Sequence, residues 1–179
     1  NSSVIEWNKS IVFPDFMSDF EVWAISKEIQ LEKLTLFLIS FDSFSEYIVG
    51  VFAIAIIPGI FEEIFFRGVL QKNIFLISKN IHFAVWFSAI IFSGIHMQFY
   101  GFFPRMLMGV LFGYMFYWSG SLAYPVFAHI FNNFFSVSIF YAANEGLFGP
   151  DFKVDVNSSP DIPIVFIIFS FVMFILLMS

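Results

Sequence analysis

Ile57-Pro58-Gly59-Ile60-Phe61-Glu62-Glu63-Ile64-Phe65-Phe66-Arg67-Gly68 sets two adjacent glutamates and an arginine inside a stretch that otherwise reads as lipid-facing helix. An ionised side chain at the centre of a membrane helix costs roughly 3 kcal/mol on insertion scales. Charges clustered this closely are tolerated only where they pair or do chemistry. The cluster is therefore a candidate functional site.

The composition around the cluster carries the membrane reading. Of 179 residues, 59% are hydrophobic, 22% aromatic and only 12% charged, against about 25% charged in globular domains. With 30 phenylalanines and a mean hydropathy of +0.86, the chain has more apolar surface than a soluble domain of its size can bury. It reads as an integral membrane protein. The net charge of −6 argues against a nucleic-acid partner. The lack of cysteine removes disulfides, Cys-based zinc sites and a thiol nucleophile. No charged-then-apolar signal peptide opens the chain. It starts at Asn1 and stops within the apolar run Leu176-Leu177-Met178-Ser179, so further segments, an upstream helix among them, are expected.

Charge spacing divides the chain into residues 1–46 and a membrane core, 47–179. The first part mixes acids and lysines with Trp7, Phe13, Phe16, Phe20, Trp23 and Leu31. Its three- and four-residue apolar spacing predicts one or two short amphipathic helices at the interface, or a helical hairpin packed on the core. In the core, a long helix is expected from Tyr47 to about Leu76, with a kink at Pro58-Gly59 whose freed carbonyls need neighbours. A second span is expected from His82 to Phe99. The stretch from Met106 to Asn144 lacks Lys, Arg, Asp and Glu and holds two more, broken at Ser119-Gly120-Ser121 and Pro125. A polar loop from Glu145 to Pro163 precedes a last span from Ile164. The expected fold is all-α: a polytopic transmembrane bundle of about five spans with N-terminal amphipathic helices. Lys72 and Lys79 fall on one side, Arg105 and Lys153 on the other, and the positive-inside rule selects neither orientation.

Polar groups within the spans are few, which makes each informative. Glu63 and Arg67 are four apart with the acid N-terminal, the better orientation for a helix pair. Glu62 points about 100° away and has no sequence-local partner. Glu63–Arg67 reads as a brace and Glu62 as a candidate general base. His96 follows Phe92 by one turn, so the ring can restrict its rotamer. Ser93-Gly94 permits close helix approach. His129 and Asn133 share a helix face, with Asn132 beside them. Each group also has a bland reading, as helix-to-helix hydrogen bonding. Converging, they would form a hydrolase site, Glu62 and His96 activating water, His129 and Asn133 donating to an oxyanion. No serine stands beside a histidine with a plausible acid, which leaves activated water as the chemistry.

Glu-Glu-x-x-x-Arg (62–67), Phe-x-x-x-His (92–96) and His-x-x-x-Asn (129–133), in that order on successive helices, resemble the CPBP family. These are the CAAX-prenyl-protease-like and bacteriocin-processing intramembrane endopeptidases, also called ABI or Rce1-like. The resemblance covers roughly Tyr47–Tyr141, and Arg67-Gly68-x-Leu70-Gln71 looks like the bacterial branch. It implies Glu62 as the water-activating glutamate assisted by His96, His129 and Asn133 as the oxyanion hole, and Glu63 with Arg67 as structural support. Asn132 has no place in the family pattern. Glu62, His96 and His129 would also suit a three-ligand zinc site. No two histidines lie four apart on one helix, however, so a cofactor-free site is expected, with zinc the alternative. The implied substrate is a membrane-associated or lipidated peptide, and the implied setting is the lipid of a bacterial inner (cytoplasmic) membrane. Nothing in the sequence indicates oligomeric state. Two other classes compete. One is a non-enzymatic bacteriocin self-immunity or membrane binding protein that keeps the site as a polar lock. The other is an ion-coupled transporter, disfavoured by the absence of an internal repeat.

Overall fold

A computed structural model describes residues 13–149 together with Trp7 and Ser10. The expected span from Ile164, and most of the polar loop before it, lie outside the described residues. All regular structure among the described residues is helical. A short 3-10 turn, Asp15–Met17, leads into α1, Ser18–Ile39. Then come α2, Phe44–Ser78; α3, Ile81–Gly94; α4, Phe102–Ser119; and α5, Ala123–Asn144.

Each boundary has a local cause. Ser43 caps α2, its hydroxyl accepting the Glu46 amide at 3.3 Å, while the Glu46 carboxylate reaches back to the Asp42 amide at 3.0 Å. This reciprocal arrangement satisfies two donors that a helix start leaves open. Lys79, left-handed at φ 55°, closes α2, and the Asn80 side chain caps α3 through the Phe83 amide. Gly120 ends α4 at φ 66°, a conformation glycine adopts without a Cβ penalty. The break at Ser119-Gly120-Ser121 thus falls where expected. Pro125 sits inside the first turn of α5, where a missing amide hydrogen costs nothing. The span expected from His82 to Phe99 is helical only to Gly94. Beyond it the chain turns, with Met97 at φ 53°, so His96 stands on the α3–α4 connection.

Helix α2 has 35 residues, about 50 Å at 1.5 Å per residue, more than the roughly 30 Å of a bilayer core. It is helical through Pro58, where the kink is expected, with wider, π-helical turns on either side at Val51–Ile56 and Ile64–Gln71. Proline has no amide hydrogen for the carbonyl four residues back, and π turns bond one residue further. Indeed the Ile57 amide reaches the Phe52 carbonyl.

Among the described residues two helices, α2 and α5, are long and apolar enough to cross a membrane, whereas α3, with 14 residues, is shorter. Along α2 one stripe is buried: Ala55, Gly59, Glu63, Phe66, Arg67 and Gln71. It faces Ala84, Val85, Ser88, Ala89 and Phe92 of α3, Phe112 of α4, and His129 of α5. Many large apolar side chains are left exposed, among them Phe52, Phe61, Phe65, Phe127 and Phe131. Polar inside and apolar outside is the pattern a lipid surround selects. Close approach sets the spacing: a Cβ on Gly59 would lie 2.6 Å from Ile130 Cγ1, and one on Gly113 would lie 2.9 Å from Val85 Cγ1.

From Ser18 the described part of the N-terminal segment forms a 22-residue helix, α1. Its inward stripe holds Ala24, Glu28 and Ile39, while Val22, Ile29, Leu34 and Phe37 are exposed. It docks through aromatic edges: Phe20 and Trp23 lie 5.3 and 5.7 Å from Phe99 on the α3–α4 connection.

Candidate active site

The polar groups of α2 meet those of α3, α4 and α5 at one level of the bundle. Glu63 and Arg67 pair at 3.0 Å, the acid wholly buried and the guanidinium 1% exposed. Residues four apart are neighbours on the helix surface, and the acid on the N-terminal side is the better orientation. Arg67 also donates to the Gly109 carbonyl of α4 at 2.9 Å and lies over the Phe92 ring at 4.9 Å. One turn on, Gln71 donates to the Gly113 carbonyl at 3.1 Å. These bonds fix α2 against α4, and the Ser88 hydroxyl fixes α3 by donating to the Phe66 carbonyl at 3.2 Å.

The other oxygen of Glu63 accepts from His129 Nδ1 at 2.8 Å. Glu63 thereby joins Arg67 on its own helix to His129 on α5. Because Nδ1 faces a carboxylate, it carries the ring proton, and Nε2 is left free to act. His96 reaches the same state by another route: its Nδ1 donates to the Phe92 carbonyl at 2.7 Å. Phe92 packs edge-on against His96 at 5.1 Å and against His129 at 5.9 Å, so one ring restrains both imidazoles.

Glu62 completes the group. Its Oε2 lies 3.9 Å from Nε2 of His96 and 3.9 Å from Nε2 of His129, and it accepts no hydrogen bond from the protein. Glu62 and His96 each keep 28% of their side-chain surface exposed, against 7% for His129. Three unsatisfied acceptor positions from three parts of the fold thus converge on one accessible point.

Asn133 lies on the same face of α5 one turn past His129. Its amide donates to the Ile54 carbonyl at 3.3 Å, and its oxygen accepts from Asn132 at 3.2 Å. One amide hydrogen of Asn133 remains available.

Glu62, His96 and His129 were the zinc alternative. Two ligands on a tetrahedral zinc sit about 3.3 Å apart, closer than either 3.9 Å spacing here. Among the described residues no group of three His, Cys, Asp or Glu is disposed to hold a metal ion.

Arg105, which in the sequence bears only on sidedness, lies in the first turn of α4. It donates to Gln98 and lies within electrostatic reach of Glu28, Glu62 and His96. Its isolation at the head of a charge-free stretch was the available signal. The helix register that brings it to Glu62 was not visible.

No curated protein and no solved structure matches the chain. A family model does match, that of the type II CAAX prenyl endopeptidase, Rce1-like, over residues 44–135. The match runs from the first residue of α2 into α5, taking in Glu62, Glu63, Arg67, His96, His129 and Asn133. It covers just over half of the sequence, and its membrane-embedded, CAAX-protease-like character agrees with the apolar exterior and polar interior. The chain belongs to the Rce1-like family of type II CAAX prenyl endopeptidases.

Proposed function

We propose that the protein is an intramembrane endopeptidase of the glutamate type, acting on membrane-associated or lipidated peptides at a membrane such as the bacterial inner membrane. The observation that carries the reading is the convergence of Glu62 Oε2 with two imidazole Nε2 atoms, each at 3.9 Å. A gap of that length between two acceptors is spanned by one water making two hydrogen bonds of about 2.8 Å. A water donating one hydrogen to Glu62 and the other to His96 turns its lone pairs outward, toward a carbonyl carbon.

The chemistry follows in two steps. As the water oxygen bonds to the carbonyl carbon, Glu62 takes its proton and negative charge appears on the former carbonyl oxygen. When the C–N bond breaks, that charge returns to a C=O and Glu62 passes the proton to the leaving amine. Asn133 donates to the oxyanion through its remaining amide hydrogen. His129 can donate from Nε2 only as the doubly protonated ring, with Glu62 and Glu63 as flanking counter-charges. Glu63 orients His129 as a carboxylate orients a catalytic imidazole, and Arg67 holds Glu63. No step runs through a metal.

The test is proteolysis of a lipidated fluorogenic peptide panel in nanodiscs, with wild type and Glu62→Gln, with and without a strong chelator. The reading expects wild-type cleavage that resists chelation and falls at least about 10³-fold in the variant. Activity lost to chelator and restored by zinc would instead make Glu62, His96 and His129 ligands. Cleavage that survives Glu62→Gln would overturn the assignment. No cleavage by wild type, with the site intact, would favour the non-enzymatic lock.

A further inference from the structure

We infer that Arg105 is a further catalytic residue, its guanidinium Nη1 receiving the charge of the tetrahedral intermediate. This rests on the peptidase reading above and adds a residue to it. Parallel register puts Arg105 at the site. Arg67 bonds the Gly109 carbonyl and Gln71 bonds the Gly113 carbonyl with the same sequence offset. One turn back along both helices, that offset puts Arg105 of α4 level with Glu63 and its neighbour Glu62.

Local chemistry makes it a further donor beside Asn133. Nη2 of Arg105 is engaged by Gln98, while Nη1 is buried and has no hydrogen-bond acceptor. An unsatisfied buried guanidinium hydrogen is costly to keep, and here it lies within electrostatic reach of Glu62 and His96. The remaining donors are short in number. Nδ1 of His129 is spent on Glu63, so the ring has a hydrogen to give at Nε2 only when doubly protonated. Asn133 spends one hydrogen on Ile54.

Charge balance also favours the role. In the resting site Arg105 is within electrostatic reach of Glu28 of α1 and, less strongly, of the Glu62 carboxylate. When water adds, the proton neutralises Glu62 and an equal charge appears on the carbonyl oxygen beside it. The cation keeps one nearby partner throughout, and its field is in place before the charge moves. Gln98 of the α3–α4 connection holds Arg105 by its hydrogen bond, and Glu28 of α1 adds a favourable charge.

The experiment compares wild type, Arg105→Gln and Arg105→Lys in nanodiscs, using a fluorogenic peptide with an S-farnesyl cysteine followed by three residues. Arg105→Gln is expected to lower kcat by about 10²-fold with KM within about twofold. Arg105→Lys should recover at least about tenfold of that loss. A binding arm needs no turnover. A phosphinate analogue, with a charged oxygen at the scissile position, is compared with the uncharged hydroxyethylene isostere. Wild type should prefer the phosphinate, and Arg105→Gln should lose that preference by the factor lost in kcat. Wild-type kcat and preference in Arg105→Gln would sink the assignment while leaving the peptidase intact. So would a variant that raises KM and lowers thermal stability with the preference unchanged, which marks a structural counter-ion. A wild type that neither cleaves nor prefers the phosphinate would defeat the peptidase reading and this inference with it.

Discussion

Asn133 of α5 donates to the carbonyl of Ile54 at 3.3 Å, and that carbonyl is the one Pro58 cannot serve. In a regular helix Ile54 would receive the amide of residue 58, and proline has none. An acceptor left open within a membrane helix needs a neighbour, and a residue of the candidate oxyanion hole supplies it. Structure and proposed catalysis therefore draw on the same amide.

A double-mutant cycle separates the two. Asn133→Ala should destabilise the protein by about 1 kcal/mol, typical of an interhelical hydrogen bond in a membrane. In a Pro58→Ala background the helix can supply its own donor, so the same change should cost measurably less. Thermal unfolding in detergent reads the stability coupling. Peptidase activity should stay low in both Asn133→Ala proteins, because the backbone repair does not replace the oxyanion donor. An equal stability loss in both backgrounds would show that the Ile54 contact does not depend on Pro58.

His129 offers a second separation within one side chain. Nδ1 holds Glu63 at 2.8 Å and Nε2 faces Glu62 at 3.9 Å. An asparagine amide can occupy the Nδ1 position but reaches nothing at Nε2. His129→Asn should stay within about 1 kcal/mol of wild type in stability while losing at least about 10²-fold in kcat. His129→Leu removes both contacts and should unfold at a clearly lower temperature. Equal melting temperatures for the two variants would mean that the Glu63 bond adds little to stability.

Gly59 tests how far the site depends on helix spacing. A Cβ there would lie 2.6 Å from Ile130 Cγ1 and 3.0 Å from the Ile130 backbone nitrogen. The side chain can rotate away, but the backbone cannot, and Ile130 adjoins His129. Gly59→Ala is expected to push α5 outward by a few tenths of an ångström and Gly59→Val by more. Overpacking of this kind costs about 1–3 kcal/mol, and a displacement approaching 1 Å costs about 10² in rate. The rate should fall in the order Gly, Ala, Val. Full activity in Gly59→Val would show that the α2–α5 distance is not limiting.

The features legible in the sequence were those with helical periodicity. The Glu63–Arg67 pair, the Phe92–His96 packing and the break at Gly120 each follow from residues within one turn of each other. Helix α2 was legible as a charge-poor run, whereas the π-helical turns that flank Pro58 at Val51–Ile56 and Ile64–Gln71 have no local sequence pattern to mark them. The end of α3 at Gly94 was missed because Ile95 and Met97 extend the apolar pattern after the backbone has turned. What no local pattern encodes is the partner choice across helices. His129 pairs with Glu63 rather than Glu62, and Arg105 lies level with the site, only because α5 and α4 pack on α2 in one register.

That register makes Glu63 and Arg67 the most consequential pair to remove. Deleting one partner of a buried ion pair leaves an uncompensated charge and costs about 3–5 kcal/mol, whereas replacing both with apolar residues of similar volume is often neutral or stabilising. Glu63→Leu alone and Arg67→Met alone should therefore fold poorly, with low yield and a lowered melting temperature. The pair Glu63→Leu/Arg67→Met should regain much of the stability, since Phe66, Phe92 and Phe112 already surround the guanidinium at 5.9, 4.9 and 5.6 Å. Activity should not return with it. His129 would have lost the acceptor that fixes its tautomer and aim, and the Gly109 carbonyl would have lost its donor. A double variant that is both stable and active would show that Glu63 does not orient His129 for catalysis. A double variant no more stable than either single change would show that Glu63 and Arg67 do not act as a pair.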